Sequence, residues 1–385
     1  MTAFAFNTTP SIICGSGSCS SLASAVGSTI GSRVLVVTDS GLRKLGLHDE
    51  MLENLKAAGH ELAIYDGVDA DPPEQNVLDA VAAGSRIGAT GVIGVGGGSP
   101  MDVAKVAALL LGSKATINDV YGVRVAKGPR LPLVLIPTTA GTGSEVTPIA
   151  ILTTGAAEKK GIVSEVLLPD VAVLDADLTL GLPAAITAAT GIDAMVHAIE
   201  AYTSASPSNN PISRGLARQA LQMLGANIRQ ATFVGSDKRA REAMMLGSML
   251  AGQAFANSPV AAVHALAYPV GAHYHVPHGL SNALVLPHVM RFNLPDAEGA
   301  YREIACDAFP ELAEIPVAER AFHFVQELEA LISELGLPSR LRDVGIDARA
   351  LEHLATDAMK QTRLLVNNPR KVSEQDALEI YEAAY

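Results

Sequence analysis

The first half of the chain alternates short apolar runs with segments of helical spacing. The apolar runs predict buried strands at residues 33–38, 61–65, 91–95, 133–136 and 171–174. Apolar residues at helical spacing predict helices at residues 42–58, 71–83 and 100–111. Continuous apolar strands that alternate with amphipathic helices are typical of a parallel sheet covered on both faces. The pattern therefore predicts an α/β domain.

The second half of the chain has a different pattern, with long helical spacing and no predicted strand after residue 174. Prolines punctuate the predicted helices, which cover residues 184–204, 211–231, 237–257, 259–268, 317–335 and 374–384. The boundary between the two patterns falls near residues 178–183. We therefore predict an α/β domain over residues 1–180 and an all-helical domain over residues 181–385.

A glycine-rich segment, Gly94–Asp102, begins at the end of the predicted strand 91–95 and leads into a helix. Three successive glycines allow a ligand to approach the backbone closely, and the free amides of a helix start bind anions. This predicts a pyrophosphate site, with Ser99 as the N-cap and Asp102 completing a capping box. The alternative is a tight turn, since Ser99 stands where the usual G-x-G-x-x-G motif has its last glycine.

Two further segments point to a nucleotide. Asp39 ends the strand 33–38, where a carboxylate accepts hydrogen bonds from a ribose and repels a 2′-phosphate, so it favours NAD over NADP. The alternative is a turn residue in Asp-Ser-Gly. The segment Pro137–Glu145 carries hydroxyls and glycines after a strand and predicts a phosphate or nicotinamide pocket, with a plain polar loop as the alternative.

A set of histidines and one carboxylate predicts a metal site. Asp193 and His197 lie four residues apart in a predicted helix and share one face, and His264 and His278 lie near each other further along the chain. Three imidazoles and a carboxylate suit iron or zinc. Each residue also has an ordinary structural interpretation, such as a capping box of Thr190 with Asp193. Spacing alone does not show that the two pairs meet.

The composition of the chain limits the kinds of molecule that it is expected to bind. The formal net charge of −12 argues against nucleic acid, and the apolar runs are shorter than the ~20 residues that span a bilayer. The N-terminal residues 1–9 lack the basic and apolar regions of a signal peptide, and the three cysteines form no disulfide framework, so we expect a cytoplasmic protein. No lysine or arginine lies between Glu242 and Met290, which favours a small neutral or singly charged substrate.

Taken together, these segments make the chain resemble the iron-containing (group III) alcohol dehydrogenases over nearly its whole length. The segments that carry the resemblance are Pro10–Gly17, Gly96–Asp102, Pro137–Glu145, Gly191–Glu200 and His264–Gly279. The resemblance implies a dehydroquinate synthase-like fold, with a Rossmann-like α/β domain that binds NAD and an all-helical domain that binds a metal. It also implies an alcohol dehydrogenase that transfers hydride between a small primary alcohol or hydroxy acid and NAD, and a homodimer or larger homo-oligomer.

The resemblance assigns roles residue by residue. It implies one divalent metal, with Fe²⁺ favoured over Zn²⁺. The ligands that it assigns to this metal are Asp193, His197, His264 and His278. The residues assigned to NAD are Asp39, Gly96, Gly97, Gly98, Ser99, Asp102, Thr138, Thr139, Thr142 and Lys160. Phe255 and Ile149 are pocket residues by family position.

The chain departs from the family at Tyr268, where many members have a histidine that assists proton transfer. Tyr268, His273 and His278 are therefore the predicted catalytic residues. The Tyr-Pro sequence also occurs in hydroxyacid–oxoacid transhydrogenases, which stay an alternative. The sequence also leaves open a reductase resembling the maleylacetate reductases, a lyase resembling the dehydroquinate synthases and a non-catalytic sensor.

Overall fold

The protein is described by a computed structural model of one chain, which covers residues 3–155 and 158–385. The chain divides into two compact units. The first unit is Asn7–Leu180, and the second is Gly181–Tyr385 together with residues 3–6. No helix among the described residues is long and apolar enough to cross a membrane.

The first unit is built on a parallel sheet. Its strands are β1 (Ser11–Cys14), β2 (Arg33–Val37), β3 (Glu61–Tyr65), β4 (Gly91–Gly96), β5 (Gly122–Val123), β6 (Leu133–Pro137), β7 (Ile149–Thr154), β8 (Glu158–Val163) and β9 (Val171–Leu174). Its helices are α1 (Leu22–Ile30), α2 (Ser40–Leu45), α3 (Asp49–Ala57), α4 (Glu74–Ile87) and α5 (Gly98–Gly112). Six strands pair in the order β1-β9-β6-β4-β2-β3, all parallel, while β5, β8 and β7 form a second, three-stranded sheet.

The six-stranded sheet is covered on both faces. Successive side chains of a strand point to opposite faces, and β2 sends Leu35 into a core with α4 and α5. Val34 and Val36 point the other way, into a core with α1 and α3. This arrangement explains why the strands are continuously apolar, and it confirms the predicted α/β fold with a parallel sheet.

Two sequence predictions for the first unit were wrong, and four strands were missed. The predicted helix 42–58 is two helices, because Gly46 adopts a left-handed conformation with φ of 66° and ends α2. Strands β1, β5, β7 and β8 were not predicted, since they are short or only partly buried. The predicted capping box does not form: α5 begins at Gly98 with Gly97 as its N-cap, and Ser99 instead donates to the carbonyl of Ala70.

All secondary-structure elements among the described residues of the second unit are helices. Its helices are α6 (Ala184–Thr203), α7 (Pro211–Phe233), α8 (Lys238–Asn257), α9 (Ala262–Tyr274), α10 (His278–Ala308), α11 (Arg320–Glu334), α12 (Leu351–Ala358), α13 (Thr362–Leu365) and α14 (Glu374–Ala383). Every residue of α6 from 191 to 202 is buried, so this helix is enclosed by the others. The predicted all-helical architecture is confirmed.

The helix ends differ from prediction at prolines. The sequence predicts that the helix carrying His264 ends at Pro269, but α9 continues through this proline to Tyr274. Helix α10 was not predicted, and it contains Pro287 and Pro295. A proline inside a helix removes one backbone hydrogen bond. The burial of apolar residues on α9 and α10 outweighs this loss. This burial depends on the tertiary fold, so the local sequence does not reveal it.

Candidate metal centre and nucleotide site

The three segments predicted to bind a nucleotide follow neighbouring strands. Strand β4 pairs with β2 on one side and with β6 on the other, all parallel. Asp39 follows β2, Gly97 follows β4 and Thr138 follows β6, so all three lie at the carboxyl edge of the sheet. The amide of Thr138 donates to the carbonyl of Gly96 at 2.9 Å. In open parallel sheets, ligands bind at this edge.

The glycine-rich turn leaves room for a ligand. Gly96 has φ of 151°, and a side chain there would collide with Pro100. A Cβ on Gly97 would meet nothing closer than 3.8 Å, so space lies above the start of α5. The hydroxyl oxygen of Thr139 is buried and has no hydrogen-bond partner among the described residues. Free helix amides, open space and an unpaired hydroxyl suit the phosphate of a nucleotide.

Asp102 lies beneath this turn in a buried polar network. Its carboxylate accepts hydrogen bonds from the Ser144 hydroxyl at 2.7 Å and from the amide of Ile151 at 2.9 Å. The Lys105 ammonium donates to Ser144 at 2.7 Å and to the carbonyl of Ile149 at 2.7 Å. The network therefore fastens α5 to the segment that follows β6. Lys105 and Ser144 were missed in the sequence, where a lysine within a helical pattern predicts an exposed residue.

Burial changes the ionisation of this network. It raises the pKa of Asp102, against the opposing effect of Lys105, and lowers the pKa of Lys105 to about 8. Glu145, next to Ser144, is 1% exposed, and burial raises its pKa to about 7. The charges of Lys105 and Glu145 therefore change with pH close to neutrality.

We expect the Glu145 carboxyl to destabilise the folded chain as pH rises. Between its ordinary pKa of 4.5 and its folded pKa of about 7, the folded state keeps a proton that the unfolded chain releases, so stability falls as pH increases. Glu145→Gln removes this titration. Between pH 5 and 8, the wild type is expected to lose ~3 kcal/mol of stability relative to the variant.

This expectation is measured by thermal unfolding of both proteins across that pH range, with the exposed Glu53→Gln as the matched control. The control is expected to follow the wild-type curve. Parallel curves for Glu145→Gln and the wild type would show that Glu145 has an ordinary pKa in the folded protein.

Three further residues assigned to NAD, Asp39, Thr142 and Lys160, each have a different set of contacts. One carboxylate oxygen of Asp39 accepts a hydrogen bond from the amide of Leu42 at 2.9 Å and caps α2, so the turn role considered for this residue is present. Thr142 lies within 3.1 Å of the position that a Cβ on Gly98 would take. Lys160 lies on β8, with its ammonium 5.9 Å from the centre of the Tyr121 ring.

The four predicted metal ligands lie together in the helical unit. Asp193 and His197 face one way from α6, His264 lies on α9, and His278 is the first residue of α10. One nitrogen or oxygen atom from each residue falls within a group in which no two atoms are more than 4.8 Å apart. The Nε2 atom of His264 lies 3.0 Å from Nε2 of His197 and 4.0 Å from Oδ1 of Asp193, and Nε2 of His278 lies 3.6 Å from that same oxygen.

These spacings suit one metal ion. Ligand atoms ~2.1 Å from a tetrahedral metal are about 3.4 Å apart, which falls within the observed separations. The amide nitrogen of Asn282 lies 2.6 Å from Asp193 Oδ1 and 3.3 Å from Nε2 of both His264 and His278. Three ligand atoms thus surround one amide nitrogen. The Asn282 carbonyl oxygen is buried and has no hydrogen-bond partner among the described residues.

Glu200 sets the orientation of His264. Its carboxylate accepts hydrogen bonds from the amide of Val263 at 2.7 Å and from Nδ1 of His264 at 2.6 Å. A carboxylate only accepts, so Nδ1 carries the proton and Nε2 presents its lone pair to the cluster. Sequence reasoning missed Glu200 and Asn282. Glu200 lies three residues after His197 and seven after Asp193, on the same helix face, which was the available signal.

The charge of the cluster is balanced around Asp193. Burial by itself raises the pKa of this carboxyl, but the imidazoles of His278, His197 and His264 and the hydrogen bond from Asn282 together hold it below its ordinary value. Asp193 is therefore held in the carboxylate form, which a cation requires.

Of the remaining predicted site residues, Phe255 and Tyr268 lie beside the metal ligands, whereas His273 does not. The Phe255 ring stacks on His197 with 4.3 Å between ring centres, and the Tyr268 ring lies 6.0 Å from that of His278. His273 does not join this cluster among the described contacts. Its Nε2 atom lies 2.6 Å from Oδ2 of Asp357, and its ring packs against His353.

Two family models match the chain. The model for iron-containing alcohol dehydrogenase matches residues 9–176, and the model for the C-terminal part of the Fe-containing alcohol dehydrogenase family matches residues 187–385. The chain belongs to this family. By family, it is a metal-dependent alcohol dehydrogenase, an oxidoreductase that interconverts an alcohol and its aldehyde.

Relatives of this alcohol dehydrogenase match it over almost its full length. Long-chain-alcohol dehydrogenase 1 of Geobacillus thermodenitrificans is 42% identical over 355 residues, 91% of this chain and 89% of that protein. The 1,3-propanediol dehydrogenase of Klebsiella pneumoniae is 39% identical over 361 residues, 92% of each chain. The crystal structure of a 1,3-propanediol oxidoreductase superposes with a TM-score of 0.95 at 37% identity and covers 100% of both chains.

Proposed function

We propose that this alcohol dehydrogenase uses NAD and one divalent metal, Fe²⁺ in the first place, to interconvert a small primary alcohol and its aldehyde. The ligands are Asp193, His197, His264 and His278. The observation that carries the proposal is their convergence in one cluster, in which three ligands are buried and three ligand atoms surround the amide nitrogen of Asn282. When bound, the metal supplies Lewis-acid polarisation of the substrate oxygen.

The protein's own groups prepare this centre. Glu200 fixes the His264 ring, and burial keeps water away from Asp193 and His264. Tyr268 is the favoured group for passing a proton, because its ring lies beside His278 whereas His273 is hydrogen bonded to Asp357. Phe255 covers one face of His197 and adds an apolar wall that suits an aliphatic substrate.

We also propose that residues 7–180 bind the dinucleotide. The turn after β4 holds the pyrophosphate by its backbone amides, with Gly96, Gly97, Gly98 and Ser99, and Thr138, Thr139 and Thr142 lie along the cofactor. Asp39 binds the adenosine ribose and excludes a 2′-phosphate, which favours NAD over NADP. Asp102 contributes indirectly, since its carboxylate is directed to Ser144 and Ile151 and positions the segment after β6.

The substrate class follows from charge and from the named relatives. The segment from 243 to 289, which holds two of the metal ligands, contains no lysine or arginine to bind a phosphate or several carboxylates. The relative from Klebsiella pneumoniae is named for 1,3-propanediol, a small primary alcohol, whereas the relative from Geobacillus thermodenitrificans is named for long-chain alcohols. A small primary alcohol agrees with the absence of cations in this segment and with the 1,3-propanediol relative. The family resemblance supports a homodimer or larger homo-oligomer.

Metal restoration tests this function. Protein purified without oxygen and stripped of metal is expected to form no NADH from a panel of primary alcohols and hydroxy acids. Adding Fe²⁺ is expected to restore sustained NADH formation, with Zn²⁺ less effective, and NADP is expected to replace NAD poorly. Activity that is indifferent to metal would point to a metal-free reductase. The absence of NADH under every condition would favour the lyase or the sensor.

A further inference from the structure

A second cluster of possible metal ligands lies apart from the four-residue site. It consists of His273 near the end of α9 and of His353 and Asp357 on α12, and we name it the α9–α12 cluster. One ligand atom from each residue lies within 4.8 Å of the others. His353 and Asp357 are four residues apart on one helix and so share a face.

Both imidazoles are directed at the same carboxylate oxygen. Nε2 of His273 lies 2.6 Å from Oδ2 of Asp357, and Nε2 of His353 lies 3.6 Å from that oxygen. The two rings are 5.0 Å apart between centres. The other oxygen, Oδ1, forms an ion pair with the Lys360 ammonium at 2.6 Å, and Oδ2 faces the two histidines. Two imidazole nitrogens, one from each helix, thus lie around one carboxylate oxygen.

We propose that the α9–α12 cluster is a second binding site, for a divalent transition metal of the zinc type. Two imidazole nitrogens and one carboxylate oxygen are ligands that Zn²⁺ accepts, with water completing its coordination, whereas Mg²⁺ and Ca²⁺ prefer oxygen alone. In a tetrahedral site the ligand atoms are about 3.4 Å apart, so His273 and Asp357 separate slightly on binding. The His353 side chain is 65% exposed, so it has room to adjust.

The α9–α12 cluster binds metal more weakly than the four-residue cluster, and the bound metal stabilises the folded protein. It offers three ligands instead of four, its histidines reach solvent, and the Lys360 ammonium opposes a cation. A metal bound there links α12 to α9, the helix that also carries His264 and Tyr268. Because a ligand that binds only the folded state stabilises it, we expect zinc to raise the melting temperature of the protein.

Zinc binding to the iron-loaded enzyme tests the site without relying on the proposed reaction. The protein is dialysed against Zn²⁺, and bound zinc and iron are measured together by elemental analysis. The wild type is expected to retain its iron and bind one zinc per chain. His353→Ala is expected to retain its iron, bind no zinc and lose the zinc-dependent rise in melting temperature, while its activity before zinc addition stays that of the wild type.

The matched control is His323→Ala, which removes a part-exposed histidine from α11 and leaves the cluster intact. It is expected to bind zinc like the wild type. Zinc that only replaces iron one for one, or an equal zinc content in His353→Ala and the wild type, would overturn the proposal. Because iron is measured in the same sample, failure of this site is distinguished from failure of the four-residue site.

Discussion

His278→Ala is expected to lower metal occupancy and turnover together, with kcat/KM falling by roughly 10³-fold. A metal ion contributes several kcal/mol to the transition state of a carbonyl reaction, and each 1.4 kcal/mol corresponds to about tenfold in rate. The imidazole of His278 lies 3.6 Å from Asp193 and 5.3 Å, between ring centres, from His264. Its removal leaves three of the four ligands and opens the cluster to water.

His278 is well suited to this experiment because its side chain is 44% exposed, so its truncation leaves no large cavity. Metal content, kcat/KM and the melting temperature of the stripped protein are measured on the same preparations. His323→Ala is the control for loss of a histidine and is expected to match the wild type in all three. Full metal content with normal activity in His278→Ala would remove this residue from the ligand set.

The parallel sheet was predictable because its strands are apolar on both faces. Strand β2, for example, has buried residues on alternating sides, and no amphipathic helix shows this pattern at such a length. The second sheet was not predictable in the same way. Strands β7 and β8 pair with each other in antiparallel fashion, and β7 alternates between buried and half-buried positions, a weaker pattern in a short segment.

The candidate metal ligands were easier to find in the sequence than the groups that support them. Metal ligands belong to a few residue types, and their spacing on α6 places Asp193 and His197 on one face. Glu200 and Asn282 act through distant partners: the carboxylate of Glu200 contacts His264, 64 residues away, and Asn282 contacts Asp193, 89 residues away. Only the tertiary fold brings these pairs together.

The placement of His273 shows how one helix boundary affects the interpretation of a site. The predicted helix ended at Pro269, which left the direction of His273 open. Because α9 continues to Tyr274, His264 and His273 are nine residues apart on one helix and point to opposite sides. Tyr268, four residues after His264, shares its face, and its ring lies 6.0 Å from that of His278.

Glu200→Gln is expected to weaken metal binding by roughly 10- to 100-fold, the usual cost of losing the carboxylate partner of a ligating histidine. The wild-type carboxylate accepts from two donors, the amide of Val263 and Nδ1 of His264. A glutamine has only one accepting oxygen, so its NH₂ group faces one of these donors. His264 then loses the partner that fixes its proton on Nδ1, or its ring rotates away from the cluster.

Metal titration of the stripped protein measures this effect directly, by dissociation constant and by recovery of activity. A positioning role predicts that excess metal restores kcat of Glu200→Gln to within a few-fold of the wild type, because all four ligands remain. Glu242→Gln, at an exposed position of α8, is the matched control and is expected to bind metal normally. If Glu200→Gln binds metal as tightly as the wild type, the hydrogen bond to His264 does not tune the ligand. If excess metal fails to restore turnover, Glu200 has a further role in the reaction itself.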